Sequence, residues 1–421
     1  MAKFTWLPLA AALTATALAP AMAATDAEIT TAIDNGLAWL AGQQQADGSW
    51  AYGGYDQAAT GAVVAAFISQ QSHWGADATA YQTVVNNGIS YLLDTASTST
   101  VSTRNDGVNI CPAGGSCTGV YWYGAGESTY TTGLVATAID QYGETKGASA
   151  VATASGPLAG YTWGQIAQGI TNEYSASQSS VLNGNRDGGW RYYIPGNGDS
   201  DMSTTQWAVL SLIYDQTLGA TTPAAVKSDL ASWLAFAQDP GTGAGCYQGP
   251  ASGLCENSDT GGLLLSLKFL GASISDPAVQ AALNFLNANW PTYANSTWYG
   301  NFGQPYAMWA DYKALELWLG LDDTTTITNL LSTCSGAGLG SPTSGICNWW
   351  QDYNQWLVAN QNADGSWNGY AYWYGPLATA FDVGILGATY IPIPVSTPEP
   401  ASLALLGAGV AGLGLLRRRR A

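Results

Sequence analysis

Apolar positions in the first part of the chain recur with a helical period. Ile33, Leu37 and Leu40 fall at i, i+4 and i+7, which places them on one face of a helix predicted over 25–44. Asp47-Gly48 breaks that helix, and Trp50 follows as a large anchor. The same order of helix, DG turn and Trp returns near the other end, from Trp356-Leu357 through Gln361 and Asp364-Gly365-Ser366 to Trp367. A pattern used twice calls for an internal-repeat reading.

Between these two stretches the apolar pattern predicts helices over 57–70, 81–94, 134–139, 166–174, 202–214, 226–238, 263–270, 277–289 and 306–319. An extra helix is predicted over 324–331, then one over 350–361 and a last one after Thr379. The first helix of each pair carries Gln, Asn and charge on one face. The second is rich in Ala, Gly and Leu nearly all round, as a helix buried on every side must be. No strand domain is predicted, because the DG, Gly and Pro positions read as turns between helices. Six pairs of outer and inner helices close naturally into a ring. The predicted fold class is therefore all-α, an α/α toroid over 25–390.

Within the pairs, Gly36-x2-Trp39-Leu40-x3-Gln44-x3-Gly48-x-Trp50 resembles the QW repeat of squalene and oxidosqualene cyclases, with Asn35 where a basic residue precedes the glycine. Trp356-Leu357-x3-Gln361-x3-Gly365-x-Trp367 matches the core of the motif, with Tyr353 at the glycine position. Trp233-Leu234-x3-Gln238 begins it and then departs into a Cys-bearing insertion. The resemblance implies the toroid of the prenyltransferase and squalene-cyclase superfamily. It gives Gln44, Trp50, Gln361 and Trp367 a structural job: the amide satisfies orphan groups at a neighbouring helix terminus and the indole stacks over it.

Both ends read as addresses. Lys3, an apolar run over 7–19 and Ala21-Met22-Ala23 form a signal peptide, 1–24. At the other end Pro398-Glu399-Pro400 precedes an apolar or small-residue run over 401–416, a transmembrane-type helix, and then Arg417 to Arg420. This set, 398–421 behind a linker at 391–397, resembles the PEP-CTERM sorting signal. The resemblance implies export, transient anchoring in the inner membrane by the C-terminal helix, and an exosortase-type enzyme as partner. It also implies a final place at the cell surface or outside the cell, with a link to surface polymer or biofilm.

Charge and cysteine content sharpen this picture. With 29 Asp and Glu against 12 Lys and Arg, the net charge of −17 argues against nucleic acid as a partner. The six cysteines form three close pairs, Cys111–Cys117, Cys246–Cys255 and Cys334–Cys347, the arrangement expected of disulfides in an exported chain. There is no C-x2-C spacing and the sole histidine is His73, so no metal centre and no cofactor are predicted. Asn183-x-Asn185-x-Asp187-Gly188 and Asn360-x-Asn362-x-Asp364-Gly365 copy the first half of a calcium loop. Ile194 and Ala371 stand where its last acid belongs, and tight turns explain both better.

Chemistry has to come from a site, since the fold hosts many activities. Asp199-Ser200-Asp201-Met202 is the nearest stretch to the Asp-rich proton donor of the cyclases, with methionine where the last acid should be. The plainer reading makes Asp201 or Ser203 a helix N-cap. The zinc ligands of protein prenyltransferases are missing, and Gly245-Cys246-Tyr247-Gln248 has the wrong spacing for a thioester. Aligning Thr60, Thr132, Thr205 and Thr260 at the starts of inner helices places Asp56, Glu127, Asp201 and Asp259 within five residues before them. In a toroid those helix starts converge on one mouth of the central cavity. Trp122, Tyr123, Trp190 and Tyr192 sit on adjacent turns, as do Tyr247, Trp298, Tyr299 and Trp373. Carboxylates beside aromatic faces are what sugar binding or cleavage uses, although capping and packing account for the same residues. The reading is an exported protein that binds a neutral or cationic ligand, a glycan first. One alternative is a polysaccharide hydrolase or lyase using two of the four aligned acids. Another is a cyclase-like enzyme with Asp199 and Asp201 as its acid.

Overall fold

The computed structural model describes residues 24–180, 186–194, 196, 199–332 and 347–394. Among them the chain is mostly helical, with twelve α-helices in two alternating kinds. The odd-numbered set is α1 (Asp26–Gly42), α3 (Ala78–Asp94), α5 (Trp163–Ser177), α7 (Ala224–Ala237), α9 (Pro277–Asn289) and α11 (Trp349–Asn360). The even-numbered set is α2 (Asp56–Ser69), α4 (Ser128–Lys146), α6 (Met202–Asp215), α8 (Asn257–Phe269), α10 (Pro305–Leu319) and α12 (Gly375–Leu386).

Burial separates the two sets as the apolar pattern predicts. Helix α1 hides a stripe led by Ile29, Ile33, Leu37 and Leu40 and leaves the rest to water. In α6 every residue except Ser203 is buried. The even helices pack in chain order, α2 on α4, α4 on α6, α6 on α8, α8 on α10 and α10 on α12, and α12 returns to α2. The odd helices lie against them from outside, α3 on α2, α5 between α4 and α6, α9 on α8 and α1 on α12. Three glycines set the closest approaches. A Cβ at Gly61 would lie 2.7 Å from Leu134 O, one at Gly133 2.7 Å from Trp207 O, and one at Gly261 2.5 Å from the Ala310 carbonyl carbon. The recurrent Thr-Gly pairs therefore mark where one inner backbone meets the next.

The repeat residues form a hydrogen-bonded seam in which the indole takes the helix-end bond expected of the amide. Trp50 Nε1 donates to Leu40 O (2.7 Å), and Trp367 Nε1 to Leu357 O (2.8 Å). Trp122 and Trp190 do the same to Leu92 O and Tyr174 O. All four acceptors are last-turn carbonyls of the preceding outer helix, so the indole, not the amide, serves the helix end. The amide instead crosses to the next unit. Gln44 Nε2 donates to Gly48 O and to Val84 O of α3 (3.0 and 2.9 Å), and Gln178 and Gln238 repeat this toward α7 and α9. Gln361 Nε2 donates to Gly365 O and to Ala32 O of α1 (3.0 and 2.8 Å), which ties the last unit to the first.

Two elements depart from the sequence reading. A two-stranded antiparallel sheet, β1 (Ser97–Val101) with β2 (Cys117–Tyr121), fills the gap between α3 and α4 and packs on α5. Residues 324–331 are not helical. Asp323 accepts from the Thr325 and Thr326 amides, and Asn287 Oδ1 from those of Thr328 and Asn329, so side chains satisfy that backbone in a turn. Cys111–Cys117 and Cys246–Cys255 are bonded, and Cys347 is oxidised as well; Cys334 lies outside the described residues. So do Asn183 and Asn185 of the first calcium-like stretch. In the second, Asp364 accepts from Ser366 within its own turn. The predicted signal peptide, up to residue 23, and the sorting segment 398–421 also lie outside. Among the described residues no helix is long and apolar enough to cross a membrane.

Candidate functional site

The loops entering the inner helices are held by one device used five times. Each of the four aligned threonine hydroxyls, and Thr379 with them, accepts a backbone amide of the preceding turn: Thr60 from Trp50 (3.1 Å), Thr132 from Trp122 (3.0 Å), Thr205 from Trp190 (3.1 Å), Thr260 from Gly245 (3.0 Å) and Thr379 from Trp367 (3.4 Å). Thr60, Thr205 and Thr260 in turn donate to the carbonyls of Asp56, Asp201 and Glu256, each four residues earlier. The acid of the fourth unit in this register is thus Glu256, which the alignment passed over for Asp259.

At these helix starts lies a cavity of about 640 Å³. Of the residues singled out by sequence, it brings together Glu127, Asp259, Tyr192, Tyr247, Trp298 and Trp373. The others sit elsewhere, each for a visible reason. Asp56 accepts from the Tyr52 amide (2.5 Å). Asp199 accepts from Gln248 Nε2 (2.8 Å) and faces Arg186 and Arg191. Trp122 and Trp190 are buried seam residues, Tyr123 is exposed, and Tyr299 donates to Gly253 O (2.5 Å). The sequence reading missed Glu256 and also Tyr52, Tyr55, Tyr130, Tyr306, Tyr372 and Tyr374, all of which line the space.

Two rings of the cavity lining, Tyr306 and Trp373, belong to a run of stacked aromatics. Tyr306 lies 4.4 Å from Trp373, Trp373 6.0 Å from Trp207, and Trp207 5.8 Å from Phe381. A void of about 30 Å³ is lined by Trp207, Trp309 and Phe381 among others. The rim is built from strained backbone. Trp298 has φ 70° and Ala371 φ 49°, left-handed values that non-glycine residues rarely adopt. Tyr370 and Trp373 exchange both backbone bonds (2.8 Å each), making a two-residue hairpin with Tyr372 at its tip, 77 % exposed. The two strained loops meet where the Trp298 amide donates to Tyr370 Oη (3.2 Å), and Trp298 stacks on Tyr372 at 6.3 Å.

The wall is acidic. Asp201 is fully buried as the N-cap of α6, its Oδ1 accepting from Ser203 Oγ (2.6 Å), the Thr204 amide (2.7 Å) and Thr204 Oγ1 (2.9 Å). Its Oδ2 has Arg191 at 3.5 Å, and burial raises the carboxyl to about 6. Ser203 links it to the cavity, since Tyr130 Oη donates to Ser203 Oγ (2.7 Å). Burial likewise raises Glu256 to about 7, and burial with the charges of Glu256 and Asp201 holds Asp259 well above the usual carboxylate range. Tyr55 donates to Glu127, and this bond, with burial, pushes the phenol up to about 12. Among the described residues no group of three or more His, Cys, Asp or Glu could hold a metal ion.

Comparison with known proteins bears on the C-terminus. Residues 396–420 match the PEP-CTERM protein-sorting motif. The chain therefore carries a signal for export, transient membrane anchoring and processing by an exosortase-type enzyme. No curated protein matches the chain.

Proposed function

We propose that the protein is an exported glycan-binding protein built on an α/α toroid of squalene-cyclase type, with its ligand seated at the mouth of the ring. The toroid reading is supported by the closed circuit of inner helices and by the Gln361–Ala32 bond across the join. The single observation that carries the glycan reading is the cavity of about 640 Å³. Its size suits a small organic ligand, its faces are Trp and Tyr, and its polar groups are carboxyls, phenols and hydroxyls. Such a wall stacks on sugar rings and accepts from their hydroxyls. The sorting motif agrees with a ligand met outside the cytoplasm, as in surface polymer.

A second reading has an observation of its own. Glu256 and Asp259 stand in one wall with raised affinity for protons, as the proton donor of a polysaccharide hydrolase requires. The cyclase-like reading has less support: Asp201 is committed to capping α6, and Asp199 is held by Gln248 and two arginines instead of standing as its partner acid. A glycan array and a polysaccharide-degradation screen of the exported protein test these readings together. Binding without turnover is expected; turnover selects the hydrolase, and neither binding nor turnover removes the glycan reading.

A further inference from the structure

Of the acids that precede the inner helices, three are spent on backbone amides around their own helix starts. Asp56 accepts from the Tyr52 amide, Asp201 from the Thr204 amide, and Glu256 from the Ser258 and Asp259 amides. Each of these lies four residues before its threonine, whereas Glu127 lies five before Thr132, one place out of that register. Although Glu127 is the N-cap residue of α4, its side chain makes no capping bond. It lines the cavity instead, half-buried, while Glu256 and Asp259 are only 7 % and 2 % exposed. An acid at a helix start is ordinarily accounted for by its cap, so a carboxyl that forgoes the cap is left for another partner.

Open ring surface surrounds this carboxyl. Tyr55 donates to it, and that bond, with burial and the Glu127 charge, pushes the phenol up to about 12, so Tyr55 keeps its proton as a donor. Tyr193 and Tyr372 bear on the Tyr55 phenol as well, and their rings are 48 % and 77 % exposed. Tyr192, on the cavity wall, is also within reach of the Glu127 charge. A carboxylate has about four lone-pair sites, and Tyr55 uses one of them, so the rest are open to donors from outside. Among the described residues no Lys, Arg or His lines the cavity to balance the charge. Arg191, which covers the rings of Tyr192 and Tyr247 at 5.0 and 5.6 Å, is held between Asp199 and Asp201 at 3.5 Å from each. Sugar hydroxyls donate well to such a group, whereas a carboxylate or sulfate on the sugar meets a charge of its own sign.

We propose that Glu127, oriented by Tyr55, is the acid that grips the ligand: it accepts from the hydroxyls of a neutral glycan stacked on the surrounding tyrosines and turns away glycans that carry carboxylate or sulfate. This rests on the glycan reading above and names the substrate class of the same site. A glycan array with neutral, uronic-acid and sulfated members, read at low salt where charge acts over the longest range, tests it on the exported protein. The wild type is expected to bind neutral members at least about tenfold tighter than their acidic counterparts. Glu127→Gln is expected to weaken binding of the neutral members about tenfold, as loss of a charge-assisted hydrogen bond warrants, and to shrink their preference to about threefold or less. Tyr55→Phe removes the orienting bond and keeps the charge, so it is expected to weaken neutral binding about threefold with the preference intact. Asp56→Asn removes a charge at another helix start, outside the cavity, and is expected to change neither. Acidic members bound by the wild type as tightly as neutral ones, or Glu127→Gln behaving as Asp56→Asn does, overturns the proposal and leaves the glycan reading standing. No member bound at all overturns both. Should Glu127→Gln not fold, the wild-type contrast and Tyr55→Phe still decide.

Discussion

Trp298 holds its backbone at φ 70°, a conformation that costs a bulky residue about 1–3 kcal/mol and persists only where the surroundings enforce it. Its side chain faces the cavity and its amide is tied to Tyr370. Replacing it by glycine relieves the strain while removing a stacking face. Trp298→Gly is therefore expected to leave the thermal midpoint unchanged or raised and to weaken glycan binding by about tenfold. A fall in both would mean that Trp298 serves packing alone. Asp201 poses the reverse question. Asparagine caps a helix as well as aspartate does, so Asp201→Asn keeps α6 intact and removes a buried acid. Melting at neutral pH is expected to be unaffected or improved. Loss of a polysaccharide-degrading turnover with the fold intact would assign the acid role to Asp201 instead of Glu256 and Asp259.

The inner helices meet through glycine, so their spacing is set by atoms that are absent. Gly133→Ala puts a Cβ 2.7 Å from Trp207 O and 2.8 Å from its Cβ, and neither backbone can yield without moving α4 from α6. The expected loss is about 1–3 kcal/mol, the usual cost of overpacking. Gly42→Ala, in the last turn of α1 with nothing within 4 Å, is the control and is expected to be neutral or stabilising by up to about 1 kcal/mol. Thermal melts of the two variants check the contrast. At this scale the sequence was readable because two kinds of helix need two kinds of pattern: a stripe in α1, apolar residues all round in α6. The hairpin was not readable, because Ser97-Thr98-Ser99-Thr100 carries β-branched polar residues with no apolar alternation to show. Residues 324–331 misled because Ile327, Leu330 and Leu331 imitate a helical stripe, while Asp323 and Asn287 take the amides elsewhere. The site was legible where a helix start fixed it, and even there the threonine register pointed to Glu256. The tyrosines of the rim come from turns distant in sequence, and no local spacing brings Tyr52 to Tyr374.

Across the whole molecule, the buried acids decide how stability varies with pH. Asp140 and Asp215 face each other in α4 and α6 with no exposure; burial raises Asp215 to about 8, and burial with the Asp215 charge holds Asp140 well above its usual range. Burial also raises Glu256 and Glu316 to about 7 and Asp201 to about 6, and it holds Asp259, Asp311 and Asp382 high. Unfolding exposes all of them to water, where they ionise near pH 4. Between that value and their folded values the native state binds more protons than the unfolded state, so stability falls as pH rises. Each retained proton contributes a slope of up to about 1.4 kcal/mol per pH unit. Carboxyls shifted the other way, such as Asp106 held low by its Arg104 bond despite burial, act below about pH 4 and limit the gain there. Lys313, which burial lowers to about 7, binds fewer protons when folded and so opposes the trend only above that pH. The thermal midpoint is therefore expected to rise steadily as pH is lowered from 8 to 5, contrary to the usual plateau of a soluble domain. Asp140→Asn is expected to flatten the part of that slope above pH 6, because it removes a carboxyl that burial and the Asp215 charge keep protonated in the folded state. A flat profile between pH 5 and 8 would show that these carboxyls have found counter-charges on folding, and an inverted one that they fold ionised.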